Sequence, residues 1–82
     1  MGHMDPDKWD AATASTIRAE RAAAGISQAK LSELSGIPKV SYIRYETGER
    51  KPNVTQIAAI TQALNIPFST FMRRIEDRVR TQ

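Results

Sequence analysis

Eighty-two residues make one small domain, and 40% hydrophobic with 26% charged residues is the balance of a soluble globular chain. The absence of cysteine excludes disulfides and thiolate metal sites and fits a reducing cytoplasm, and neither an apolar run of membrane-spanning length nor a signal-peptide pattern is read. The formal net charge of +3 and the pI of 9.7 point to a polyanionic partner.

Met1-Gly2-His3-Met4 reads as a cloning scar. Setting it aside removes His3, the one histidine, so no histidine remains for acid–base catalysis or metal ligation. Residues 5–80 are then the expected domain, with 81–82 a frayed tail. Asp5, Asp7 and Asp10 collect at the start. Lys39, Arg44, Arg50 and Lys51 fall in one short stretch, so the body is more basic than the total implies.

Five helices are expected. The first runs from about Asp10 to Ala24, is rich in alanine, turns Ile17 inward and stops at Gly25. Trp9, just ahead of it, is read as a lid. The second starts after the cap Ser27 and runs through Leu34, with Leu31 and Leu34 facing one way. Ser35-Gly36 ends it, and Ile37 plugs the space between two helices. The third opens at Pro38 and runs to Glu46, with Thr47-Gly48 as its stop and Glu49–Pro52 a charged loop. The fourth follows the cap Asn53 and carries Val54, Ile57, Ala58, Ile60, Ala63 and Leu64 as an apolar stripe, ending at Asn65. The fifth opens at Pro67 and sets Phe68, Phe71, Met72, Ile75 and Val79 at helical spacing. Its other face bears Arg73, Arg74, Arg78 and Arg80, read as a solvated charge run.

The segment Gln28–Glu46 carries the function. Two short helices joined at Gly36, the second bearing Lys39 and Arg44, have the form of a helix-turn-helix. On a helix starting at Pro38, positions 39, 40, 43 and 44 share one face, while Tyr42 and Tyr45 share the other and are read as core. A helix fits the DNA major groove, where each base pair presents a distinct edge. Arg44 suits guanine O6 and N7, Lys39 suits a guanine or a phosphate, and the apolar Val40 and Ile43 suit a thymine methyl. Arg50 and Lys51, in the loop after this helix, suit phosphates.

Ser27-Gln28-Ala29-Lys30-Leu31-Ser32, then Ser35-Gly36-Ile37, then Lys39 through Gly48 form a pattern that resembles the Cro/phage-repressor-like (XRE) helix-turn-helix family. Pro52, Ile57, Ala63, Leu64 and Pro67-Phe68 continue the resemblance, which covers Ile17 to Met72 and centres on a motif at 27–48. The resemblance implies an all-α, compact five-helix bundle of the lambda-repressor-like type. It implies that Lys39, Val40, Ile43 and Arg44 face bases and that Gln28 holds a phosphate. Ser41, Arg50 and Lys51 complete the expected phosphate contacts. It also implies an interior salt bridge between Arg21 and Glu46. Two positions depart from the family's habit: Pro38 replaces a hydroxyl cap, and Ser32 replaces an alanine.

The expected function is sequence-specific binding of double-stranded DNA as a transcriptional repressor, of phage or bacterial kind, in the cytoplasm. The expected target is a pseudopalindromic operator bound by a homodimer. The alternative is a protein-interaction or antitoxin-type module that uses the apolar pair Val40 and Ile43. No cofactor or metal is expected. Without a nucleophile–base pair, no enzymatic activity is expected either.

Overall fold

The structure is a computed structural model that describes residues 2–81. Met1 and Gln82, at the ends of the expected scar and tail, lie outside the described residues. Helix α1 (Pro6–Ala24) begins where the Asp5 carboxylate accepts the Asp7 amide at 3.0 Å and Pro6 takes the first helical position. It therefore starts at Pro6 rather than Asp10, and Trp9 lies within the helix instead of ahead of it. Asp5-Pro6 carries the start signal, an acidic cap followed by proline at the first helical position. Trp9 still covers the core, half-buried against it.

Helix α2 (Gln28–Ser35) follows the Ser27 cap, whose hydroxyl accepts the Lys30 amide at 3.0 Å. Helix α3 (Lys39–Thr47) follows Pro38, which stands at the cap position in extended conformation and makes no side-chain cap bond. Helix α4 (Val54–Ala63) opens on a capping box. Asn53 and Gln56 exchange side chain-to-backbone bonds of 2.8 Å in both directions. Helix α5 (Phe68–Thr81) carries the helix through Thr81, one of the two residues expected to fray.

Helix α1 lies against α5 and α3, α2 against α3 and α4, and α4 against α5, so every helix borders the same core. Ile17, Leu31, Tyr42, Ile60, Phe71 and Ile75 fill it and are fully buried. Each such side chain contributes about 1.5–3 kcal/mol by leaving water. Among the described residues no helix is long and apolar enough to cross a membrane.

Three sequence expectations change. Leu34 does not share Leu31's surroundings, being 51% exposed while Leu31 is fully buried. Three residues advance a helix short of a full turn, and on this short helix the shortfall carries Leu34 past the edge of the core. In α4 the stripe narrows, because Val54 and Ala58 are exposed and Thr61 is buried in their stead. The Thr61 hydroxyl is satisfied by donating to the Ala58 carbonyl at 3.0 Å. Two of the C-terminal arginines are not simply solvated. Arg78 donates to the buried Thr16 hydroxyl at 3.0 Å, and Arg74 pairs with Glu20, so both fasten α5 to α1.

Candidate nucleic-acid interface

The turn between α2 and α3 fixes the angle of α3. Gly36 sits at φ 74°, a left-handed conformation that a side chain resists, and its amide closes α2 on the Glu33 carbonyl. Ser32 then donates to the Ile37 carbonyl at 2.5 Å, joining the body of α2 to the far side of the turn. The serine that departs from the family's usual alanine thus has a structural task here. Ile37 is buried and anchors the turn from below.

Helix α3 has two unlike faces. Tyr42 and Tyr45 are buried, while Lys39, Val40 and Arg44 are exposed and Ile43 is half-buried beside them. Val40 is 63% exposed, an apolar side chain held out into solvent. The four residues expected at bases therefore lie on one outward face, next to the loop 48–53.

Behind this face Glu46 anchors the helix. It is buried, and its Oε1 accepts from Arg21 Nε and from the Tyr42 hydroxyl at 2.6 Å. Its Oε2 accepts from the Gln28 amide at 2.6 Å. Arg21 also donates to the Ile26 carbonyl at 2.8 Å, and Arg18 donates to the Glu46 carbonyl. One carboxylate so gathers donors from α1, α2 and α3. Burial pushes the Glu46 carboxyl up, but the hydrogen bonds from Arg21, Gln28 and Tyr42 outweigh it and hold the group below its ordinary range. The hydrogen bond to Glu46 raises Arg21 despite burial. Burial and then the bond to Glu46 raise the Tyr42 phenol. The site is thus Glu46 charged, Arg21 charged and Tyr42 neutral, and every buried polar side-chain atom among the described residues has a partner.

The remaining expected contacts divide. Arg50 is exposed, with its amide donating to the Arg44 carbonyl at 3.2 Å. Lys51 is exposed but paired with Asp10 at 3.0 Å, and that hydrogen bond raises its pKa. Ser41 is half-buried on α3. Gln28 is half-buried, with one amide N–H committed to Glu46, so the side chain turns toward the interior. Its other N–H and the helix-start backbone are what remain for an anion.

Sequence reasoning passed over four neighbours. Arg18 closes the carboxyl end of α3 through the Glu46 carbonyl. Asp10 holds Lys51. Glu49 lies beside Arg44, its carboxylate 3.9 Å from the guanidinium Nε. Tyr42, read as core for its ring, also donates its hydroxyl to Glu46. Tyr42–Glu46, four apart on one helix, carries a local signal; Arg44–Glu49 spans the end of α3, and the other two pairings join separate elements.

The sequence is similar to those of known proteins. A family profile described as helix-turn-helix matches residues 17–71. The chain is 36% identical over 66 residues to an uncharacterized HTH-type transcriptional regulator of Sinorhizobium medicae and, to the same extent, to one of Rhizobium meliloti. In each case the match covers 80% of this chain and 48% of the relative. It is 35% identical over 57 residues to the HTH-type transcriptional regulator SutR of Escherichia coli, covering 70% of this chain and 32% of that protein. The chain thus spans about half the length of the rhizobial relatives and less of the third. With a match across its core, both motif helices and most of its length, the chain belongs to the XRE-type helix-turn-helix family.

Proposed function

We propose that this domain binds double-stranded DNA in a sequence-specific manner and serves a transcriptional regulator, with α3 in the major groove. The observation that carries the reading is the outward face of α3. Val40 is 63% exposed there with Lys39 and Arg44 alongside, and the loop bearing Arg50 follows. A single exposed valine is ordinary on a free surface, but on one face with two cations it matches a thymine methyl beside guanines or phosphates. The relatives named as transcriptional regulators support the same reading.

In this reading Arg44 reads a guanine edge, and Val40 and Ile43 make apolar contact with bases. Lys39 takes a guanine or a phosphate. Arg50 and Ser41 touch the backbone, as do Lys51 once released from Asp10 and Gln28 through its free N–H and helix-start amides. No bond in DNA is made or broken. Regulation acts by occupancy, and repression is the proposed sign: bound protein excludes polymerase or a competing regulator. A single domain of this size makes few base contacts, so the proposed operator is a pseudopalindrome. Two copies would bind it with half-sites about 34 Å apart.

Titration of the domain against random-sequence duplex over a salt series tests the reading. Binding that weakens steeply with salt, followed by enrichment of one motif from a random duplex library, is the expected result. Failure to bind any duplex at low salt would instead favour a protein-interaction module, for which the exposed Val40 is equally suited.

A further inference from the structure

We propose that Glu49 is a positioning residue for Arg44, setting the guanidinium for one base before DNA arrives and so sharpening sequence preference at the expense of backbone attraction. The inference rests on the DNA-binding reading above. Its ground is the geometry around the end of α3. The Glu49 carboxylate lies 3.9 Å from Arg44 Nε, on the stem side of the guanidinium. The contact is through charge rather than a hydrogen bond, so the two terminal nitrogens of Arg44 keep their N–H groups uncommitted among the described residues. Those are the nitrogens that engage guanine O6 and N7 end-on.

The backbone fixes Glu49 at this place. The Thr47 hydroxyl donates to the Arg44 carbonyl at 3.1 Å and accepts the Glu49 amide at 3.4 Å. The Arg50 amide donates to the same Arg44 carbonyl at 3.2 Å. Gly48, at φ 79°, makes the reversal that returns the chain toward Arg44. Residue 49 is thereby tied to residue 44 through three hydrogen bonds, independent of the side-chain contact.

The pair does little for the free fold. Both side chains are largely exposed, 44% for Arg44 and 68% for Glu49, and such pairs add little stability in water. A carboxylate beside a groove also repels phosphates, so it weakens binding to every sequence. Its compensating effect is orientation. An arginine held part-way to one rotamer loses less freedom on meeting its base, and the pair strengthens as DNA displaces water.

Binding of wild type, E49Q, R44A and R44A/E49Q is measured on the duplex selected from the random library, on its single-base variants and on random duplex. In E49Q, affinity for random duplex rises, while the preference at one base pair falls roughly fivefold, the lower end of what a bidentate contact discriminates. In the R44A background, E49Q raises affinity for all duplexes by one common factor and leaves preferences unchanged. The proposal is overturned if E49Q shifts all sequences alike in wild type. It is equally overturned if its effect on preference persists without Arg44, since Glu49 would then read a base itself. Wild type that binds DNA with Glu49 silent removes only the positioning role, whereas wild type that binds no duplex removes the DNA-binding reading and this role together.

Discussion

Arg21 on α1 and Glu46 on α3 meet inside the protein, and the Glu46 carboxylate is shared with Tyr42 and Gln28. The contact joins the longest helix to the carboxyl end of the helix that bears Arg44. It governs how α3 is held, although neither residue lies on its outer face.

Removing Glu46 takes the shared acceptor from Arg21, whose side chain is 22% exposed, and leaves the buried Tyr42 hydroxyl without its partner. E46A should lower unfolding free energy by about 3–5 kcal/mol. A domain of this size has about 4–12 kcal/mol in all, so E46A should be partly unfolded at modest temperature. Urea denaturation at neutral pH measures the loss. Y42F is the milder change, removing one bond to a charged acceptor while the ring still fills the core. It should cost about 1.5–3 kcal/mol.

The same carboxylate sets an acid limb. Glu46 is held below its ordinary value of 4.5, so the unfolded chain binds this proton more readily than the native one. The stabilisation is complete above that ordinary value and is lost as pH falls through the lower native value. Wild type should therefore lose stability below about pH 5, and E46Q should begin less stable and show a shallower acid limb. Urea midpoints between pH 3 and 7 for the two proteins check the difference. Parallel limbs would remove Glu46 as its source.

Substitutions at the outer face should separate by kind. R44A should relax preference at one base pair and cost about 1–3 kcal/mol on the selected site. R50A should weaken all sequences alike and flatten the salt slope by about one. Both side chains are exposed, so thermal midpoints should stay close to wild type.

Lys51 should behave differently from Arg50, because Asp10 already neutralises it at 3.0 Å. K51A should flatten the salt slope by less than one. D10N should tighten binding to all sequences and restore to Lys51 a full share of the slope. Salt titrations of K51A, D10N and the double variant on one duplex measure this. An unchanged affinity in D10N would mean that the pair opens at no cost.

Much of this was legible in the sequence because local chemistry announces it. Ser27 and Asn53 cap, Gly25, Gly36 and Gly48 stop helices in left-handed conformation, and Tyr42 and Tyr45 alternate with Val40 and Arg44 at helical period. The placement of Arg44 outward and Tyr45 inward needs no more than that period. What escaped depends on the approach of distant segments. Leu34 and Val54 are apolar and helical, yet they stay 51% and 70% exposed at the margin of the core. Arg78 reaches Thr16 and Lys51 reaches Asp10 only because α5 and the loop 48–53 settle against α1. Gln28 shows the same limit, since residue type and position suited a phosphate while the folded carboxylate of Glu46 engaged its amide.

Backbone amide NMR spectra recorded during titration with the selected duplex test most directly whether the outer face of α3 meets DNA. The amides of Lys39, Val40, Ile43, Arg44 and Arg50 should shift or broaden most, while those of Ala59, Gln62 and Ala63, on the α4 surface beside Leu34, should stay near their free positions. Resonances of α3 that hold still while another surface responds would contradict the placement of that helix on DNA.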